Sequence, residues 1–459
     1  MRAAVPRVSE AYGLLVVVLA AYAAALLLTT DGTAPDTWLA VLGGREVSHG
    51  LPSTDHLTVL AAGARWVDQQ WLAQLVFYGA HAAGGLLLVL LLSAAFAFAA
   101  VVAAAVHAVH RGADMRATVW VAAVALIPYV LVAEVPRTQS LTYPLFVAVL
   151  WLIVGDGLRP SNRVLLALPI LALWANLHGS VLVAVAVVAI HGVLVLRRRQ
   201  VVGGSLALGS LLSVFASPYA AGLPHYYRST IFNPAFKLLS EWGPTTLKLE
   251  TVPVFVLIVA AAYLVGRVGQ LFTPTETMVL IVSGGAALHA VRFTAWFALA
   301  ALMILPRPLA SIVRPQPAPV DLNRLCGRLG LISIVGLVAV VLVRGVPGYP
   351  AAAASAVTSA ASGTSNVFAS ELYGDWLLTV APSLRGRVAY DSRIELLPAS
   401  VTEQIQLTQS TGEGWKDLSH RYGVYVLNTS DERNLILQLA RAGYTPRYRW
   451  GSLVVMARH

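Results

Sequence analysis

The chain has 459 residues, of which 57% are hydrophobic and 12% charged, with a mean hydropathy of +0.71. A soluble domain carries about a quarter charged residues, so this composition excludes a purely water-soluble protein and points to a bilayer as the solvent. The net charge of +10 would suit a nucleic-acid binder if gathered on one face, but the arginines are spread over successive loops, which excludes that class.

The first apolar run, residues 11–28, is uncharged and too long for a signal-peptide core, so it reads as an anchor that stays in place. Further runs centre on 86–107, 117–133, 141–155, 164–176, 179–195, 203–217, 252–266, 277–290, 293–305 and 329–343. Together they predict roughly eleven crossings, with the pair on either side of Asn176 open to being one bent hairpin. Cytoplasmic loops carry the excess of Lys and Arg. With the N-terminus inside, Arg2, Arg7, Arg111, Arg116, Arg159, Arg163, Arg197, Arg198, Arg199, Arg267, Arg307, Arg314, Arg324 and Arg328 all fall on the cytoplasmic side.

An odd number of crossings puts everything beyond residue 343 outside. Residues 346–365, rich in Ala, Ser and Gly, read as a linker. Residues 366–459 return to soluble composition, with strand-like runs at 387–390, 423–427 and 452–456 around a helix-like 432–442. The sequence therefore predicts an all-α polytopic membrane domain over 1–345 and a small extracytoplasmic α/β domain over 366–459. The only cysteine, Cys326, falls at the cytoplasmic mouth of the last span, so neither a disulfide framework, a zinc site nor a Cys nucleophile is expected.

Ionisable groups at membrane depth are costly and mark pathways or sites. On this topology the dense polar clusters share the outer side. The first outer loop, about 31–75, carries Asp31, Asp36, Trp38, Asp55, Trp66, Asp68 and Trp71; later loops carry Glu134, Arg137 and Gln139, then Trp174, Asn176 and His178, then Lys237, Glu241 and Trp242, and finally His289 and Arg292. The first loop is too long for a plain connector, and its segments 35–50 and 71–84 read as short amphipathic helices. Each cluster also has a plain alternative. Acids and tryptophans at span ends can be solvated loop and interface belt, Asn176 and His178 a satisfied turn, and Arg137 a side chain reaching to headgroups. In the outer domain, Asp391 and Arg393 can form an internal ion pair with Trp376 as core.

Taken in order, Asp36, Trp38, the glycines Gly43 and Gly44 as a turn, the Gly50-Leu-Pro step to Asp55, and Trp66-Val-Asp-Gln-Gln-Trp71-Leu resemble the first outer loop of the GT-C superfamily of integral-membrane glycosyltransferases, and its bacterial relatives in particular. Arg137-Thr-Gln139, the Trp174-x-Asn176-x-His178-Gly179 turn, Glu241-Trp242 and His289-x-x-Arg292 resemble later landmarks of the same relatives. The resemblance implies a GT-C-like membrane domain in the bacterial inner membrane. It implies an inverting transferase that takes a sugar from a polyprenyl-phosphate-linked donor to an envelope glycan, lipid or protein acceptor on the outer face, with Asp36 as the base.

The residues themselves can supply that chemistry. Asp36 or Asp55 can accept the acceptor's proton. Arg137 and Arg292, with His178 as a neutral donor, suit the oxygens of a phosphate. Trp38 and Trp242 offer flat faces to a sugar ring, Glu241 can orient a hydroxyl, and Gln139, Asn176 and His289 fall beside them as sugar or acceptor ligands. No adjacent acidic pair occurs in the outer loops, so a divalent metal lacks its motif and no cofactor is assigned. Two other readings compete. A transporter or flippase of a lipid-linked substrate calls for midplane charge and inverted repeats, neither of which the sequence displays, and a non-catalytic membrane scaffold of the same fold has no diagnostic feature.

Overall fold

A computed structural model describes residues 12–29, 34–157, 161–231, 240–313, 320–344, 348–363 and 365–458. Asp31, Lys237, Arg2, Arg7, Arg159 and Arg314 lie outside the described residues, as does the side chain of Cys326. The chain divides into two compact units. The first comprises Met1–Thr30, Leu87–Ala220 and Ser240–Val346, and the second Asp31–Leu86, Ala221–Leu239 and Pro347–His459.

Helices, numbered along the whole chain, make up the first unit: α1 (Tyr12–Thr29), α3 (Trp71–His110) from Leu87 onward, α4 (Met115–Ala133), α5 (Tyr143–Asp156), α6 (Ala167–Ala175), α7 (Val181–Leu196), α8 (Gln200–Ser213), α10 (Val252–Val268), α11 (Pro274–His289), α12 (Thr294–Ile304), α13 (Pro306–Ile312) and α14 (Val320–Arg344). Among the described residues, Trp71–His110, Met115–Ala133, Thr138–Asp156 and Val252–Leu271 are long and apolar enough to cross a membrane, and the pair Val291–Ile304 and Pro306–Ile312, bent by 49°, makes a fifth if taken as one span. The chain is thus a multi-pass membrane protein. A helix stands at each of the predicted apolar runs, but not every one is a full crossing. α6 has 9 residues and rises only about 14 Å, roughly half of a 30 Å hydrocarbon layer.

α12 is buried over its whole length and packs against α4, α11, α10 and α5. A helix apolar all round must be enclosed on all sides, which makes α12 the axis of this unit. Its Trp296 gathers aromatic neighbours, with ring centroids 4.9 Å from Tyr143, 5.2 Å from Phe146 and 5.2 Å from Trp174.

The second unit holds α2 (Pro35–His49), the start of α3, α9 (Leu223–Ile231), α15 (Ala351–Ala360), α16 (Glu371–Val380), α17 (Ala399–Thr411), α18 (Trp415–Ser419), α19 (Arg433–Arg441) and the strands β1 (Asn366–Ala369), β2 (Tyr422–Asn428), β3 (Thr445–Trp450) and β4 (Leu453–Ala457). The sheet order is β1-β2-β4-β3, with β1 and β2 parallel and the other neighbours antiparallel. Alternate residues face opposite sides of a strand. On one side Val424, Val426, Leu453 and Val455 pack with Trp38, Leu42, Trp376 and Val357; on the other Tyr425, Leu427, Val454 and Met456 pack with Leu435, Leu439 and Tyr444. β3, with Pro446 and two arginines, has the composition of an edge strand.

Three sequence expectations change here. The stretch read as a linker forms α15, with Ala353 and Val357 buried one turn apart, because an alanine run is the best helix former available and needs only a surface to lie on. The run at 387–390 is held by isolated bridges and not a full ladder. Val388 bridges both Val367 and Thr58, and the N–H groups of Val59 and Leu60 donate to Val388 O (2.8 Å) and Ala389 O (3.0 Å). The first loop thereby joins the sheet edge. Both amphipathic segments of that loop are helical, but Gly43 and Gly44 lie inside α2 and not in a turn. The second segment ends at a break in α3, where Gly85 adopts φ +62°, a conformation that suits glycine alone.

The glycine pair has a packing role. A Cβ on Gly44 would overlap Gln74 O and come within 2.6 Å of Tyr78 Cβ, and one on Gly43 would overlap the Gln74 side chain. Gly44→Ala should therefore force α2 off α3 and destabilise the second unit by about 1–3 kcal/mol. A lowered apparent Tm of the purified protein in detergent is the expected result; an unchanged Tm would mean that the two helices do not need this close approach.

Candidate functional site

In the first unit, three short turns carry the charged residues. Arg137 precedes the 3-10 turn Thr138–Thr142, Glu241 and Trp242 belong to the turn Ser240–Trp242, and Arg292 lies in the turn Val291–Phe293 between α11 and α12. The last two are pinned together by the backbone. Thr245 donates from its N–H to Leu288 O (3.1 Å) and from Oγ1 to Ala287 O (2.6 Å), and the Val291 N–H donates to Gly243 O (3.2 Å).

These turns bring two guanidinium groups to one carboxylate. Arg137 donates through Nη1 to Glu241 Oε2, Arg292 Nη1 stands 3.7 Å from Glu241 Oε1, and the Arg292 guanidinium lies 4.0 Å over the Trp242 ring. The side chains are only 18% (Arg137), 14% (Arg292) and 31% (Glu241) exposed, so solvent screens them less than a surface pair. Burial pushes the Glu241 carboxyl up, but the two arginines outweigh it and hold the group below its usual range. His178 completes the cluster electrostatically. Burial first, then Arg292 and Arg137, push its imidazole well below the ordinary value, so it is neutral. Its Nδ1 accepts from the Ser180 N–H (3.1 Å), which leaves the ring proton on Nε2.

The other sequence candidates of this unit are placed differently. The Asn176 amide is spent on Ala172 O (2.8 Å) and Ala216 O (2.6 Å). Buried Gln139 donates to Tyr143 Oη (3.2 Å), a tyrosine that the sequence did not single out because it opens an ordinary apolar run. His289 is exposed at the end of α11 and enters none of the ion pairs among the described residues.

In the second unit, Asp36 sits half-buried in the first turn of α2. Trp38 is 5% exposed within the core, its ring centroid 6.1 Å from that of His81; α2 packs on α16, so the ring is core and offers no open face to a sugar. Asp55 is fully enclosed. It accepts from Leu57 N–H (3.3 Å), Thr58 N–H (3.1 Å), Thr58 Oγ1 (2.7 Å) and Arg393 Nη2 (2.6 Å). Both of its oxygens are thus occupied by donors of the protein itself. Arg393 also grips Asp391 through Nε (3.1 Å) and Nη2 (2.5 Å) and lies 4.1 Å over Trp66. The Asp391–Arg393 pair and core Trp376 are thus the plain alternative that the sequence allowed, with Asp55 as an added member.

No protein-family model matches the chain, and no curated protein matches it in sequence. Solved structures do match in fold. The oligosaccharyltransferase of Archaeoglobus fulgidus in its apo form aligns at 12% identity over 95% of this chain and 73% of its own, with a TM-score of 0.51. This chain has the GT-C fold. ArnT from Cupriavidus metallidurans aligns at 14% identity, over 97% of this chain and 98% of its own in the apo state (TM-score 0.48), and over 98% of each when bound to undecaprenyl phosphate (TM-score 0.49).

At such identity the GT-C likeness fixes architecture and not a reaction, so the chemistry must come from the side chains. Among the described residues no three His, Cys, Asp or Glu side chains converge as a donor set for a metal ion. The acids of the second unit do something else. Asp68 is pushed up to about 7 by burial, with Arg393 opposing and Glu395 adding to the shift; burial also lifts Glu395 to about 7 and Glu432 to about 7. Each keeps its proton in the folded unit at pH values where the unfolded chain, with carboxyls near about 4, has lost it. Stability should fall as pH rises from about 4 to about 7 and level off above, since the folded state binds more protons across that window. Thermal unfolding between pH 4.5 and 8 checks this, and Asp68→Asn with Glu395→Gln should flatten the decline; an unaltered slope in the double variant would place the proton uptake elsewhere.

Proposed function

We propose that the chain is a membrane glycosyltransferase that moves a sugar, with inversion, from a polyprenyl-phosphate-linked donor to an acceptor on the outer face of a bacterial inner membrane. The carrying observation is the arginine pair. Arg137 and Arg292 come from turns far apart in the chain to within reach of one carboxylate, with a neutral imidazole nearby, an arrangement suited to the oxygens of a phosphate. The GT-C fold and the distribution of arginines on the opposite loops support the same reading, including a cytoplasmic N-terminus and an outer C-terminal domain, 366–459.

In the proposed reaction the acceptor oxygen attacks the anomeric carbon from the face opposite the phosphate. The bond from that carbon to the phosphate oxygen breaks, and its electron pair leaves with the lipid phosphate, whose charge Arg137 and Arg292 balance while His178 donates from Nε2. Such preorganised charge can be worth several kcal/mol of barrier. The acceptor's proton goes to a carboxylate of the first outer loop. Asp36 is assigned that role, as the sequence resemblance implies, since both Asp55 oxygens are already taken by donors. The acceptor is an envelope glycan, lipid or protein.

Arg292→Ala should lower transfer from a radiolabelled polyprenyl-phosphate sugar in membranes by about 10²–10³-fold, with Arg292→Lys intermediate. Asp36→Asn should lose turnover while still binding the lipid phosphate. Transfer at the parent rate by the Arg292→Ala protein would sink the assignment.

A further inference from the structure

Glu241 sits where the proposed donor phosphate would have to be. Its Oε2 accepts from Arg137 and its Oε1 stands 3.7 Å from Arg292 Nη1, so both oxygens are turned to cations. Resting on the donor-phosphate reading above, we propose that Glu241 is an internal stand-in for the phosphate, a carboxylate that occupies the arginine pair and must be displaced for a lipid phosphate to bind.

The geometry makes the exchange local. Arg137 is hydrogen-bonded to the carboxylate, whereas 3.7 Å from Arg292 is an ion pair too long for a hydrogen bond. Arg292 is held separately by the Trp242 face at 4.0 Å, a cation–π contact that does not depend on the carboxylate. The backbone around Glu241 is fixed, through Gly243 and Thr245, to the end of α11. Only the glutamate side chain, the most exposed of the three at 31%, has to rotate toward water.

Carboxylate and phosphate make the same demand on a guanidinium fork. The resting enzyme therefore keeps its arginines charge-balanced and aligned, which spares them the repulsion of two facing cations. The cost is competition, since every phosphate must outbid a tethered anion. Returning to the arginines, the carboxylate also helps expel the spent lipid phosphate, so Glu241 would govern dwell time more than rate of arrival.

The test is binding of geranylgeranyl phosphate to the purified full-length chain in detergent, with geranylgeraniol as the lipid control. Arg292→Ala should weaken binding by at least about tenfold, and Glu241→Gln should tighten it by about tenfold with slower dissociation, while geranylgeraniol binds all variants alike. If Arg292→Ala binds like the parent, the donor-phosphate reading falls. If Arg292→Ala weakens binding but Glu241→Gln binds equally or more weakly, that reading stands and the stand-in role is refuted. Should Glu241→Gln lack a cooperative unfolding transition, Glu241→Asp, which withdraws the charge by one methylene, is expected to bind about threefold more tightly, and equal or weaker binding there refutes the role as well.

Discussion

The first unit is organised by a helix with no face to spare. α12 buries all of its residues, and a segment enclosed in this way leaves its neighbours little choice of position, because packed interiors resist displacement. Arg292 precedes α12 by two residues, so its place is set by how that helix enters the core. The turn carrying Glu241 and Trp242 is then fixed to the same junction by Thr245 and Val291. A charged cluster built on such short, tied turns is preorganised, which long free loops would not achieve.

The two units solve the problem of buried charge in opposite ways. In the first, guanidinium groups share a carboxylate and hold it ionised. In the second, Arg393 neutralises Asp55 and Asp391, and the surplus acids Asp68 and Glu395 meet the cost of burial by keeping their protons. The contrast follows from the ratio of partners. Where cations match or exceed the acids the carboxyl stays low, and where acids outnumber a single enclosed arginine the excess is driven neutral.

Much of this architecture is legible in the sequence because apolar runs can only be helices in a bilayer, and each predicted run has its helix. Arg292 was readable for a local reason, a charge in a very short connection between two apolar stretches. Arg137 and Glu241 were readable as loop charges, but their meeting was not, since the contact joins positions 104 apart. The same limit hid the link from Asp55 to Arg393, 338 positions apart. Trp38 shows the complementary failure. A tryptophan near a loop acid fits a sugar platform, a membrane-interface belt or a core equally well, and only the packing of α2 against α16 decides. Gly43 and Gly44 look like turn residues because glycine usually marks turns, whereas here they let two helices touch.

The rings around Trp296 have an optical consequence. Tyr22, Tyr129, Tyr143 and Trp296 follow one another with centroids 5.6, 5.1 and 4.9 Å apart, close enough for their electronic transitions to couple in a fixed chiral arrangement. Such coupling disappears when side-chain packing loosens even if helices persist. The interior of the first unit therefore carries its own circular-dichroism signature in the near ultraviolet, independent of any bound lipid or added label.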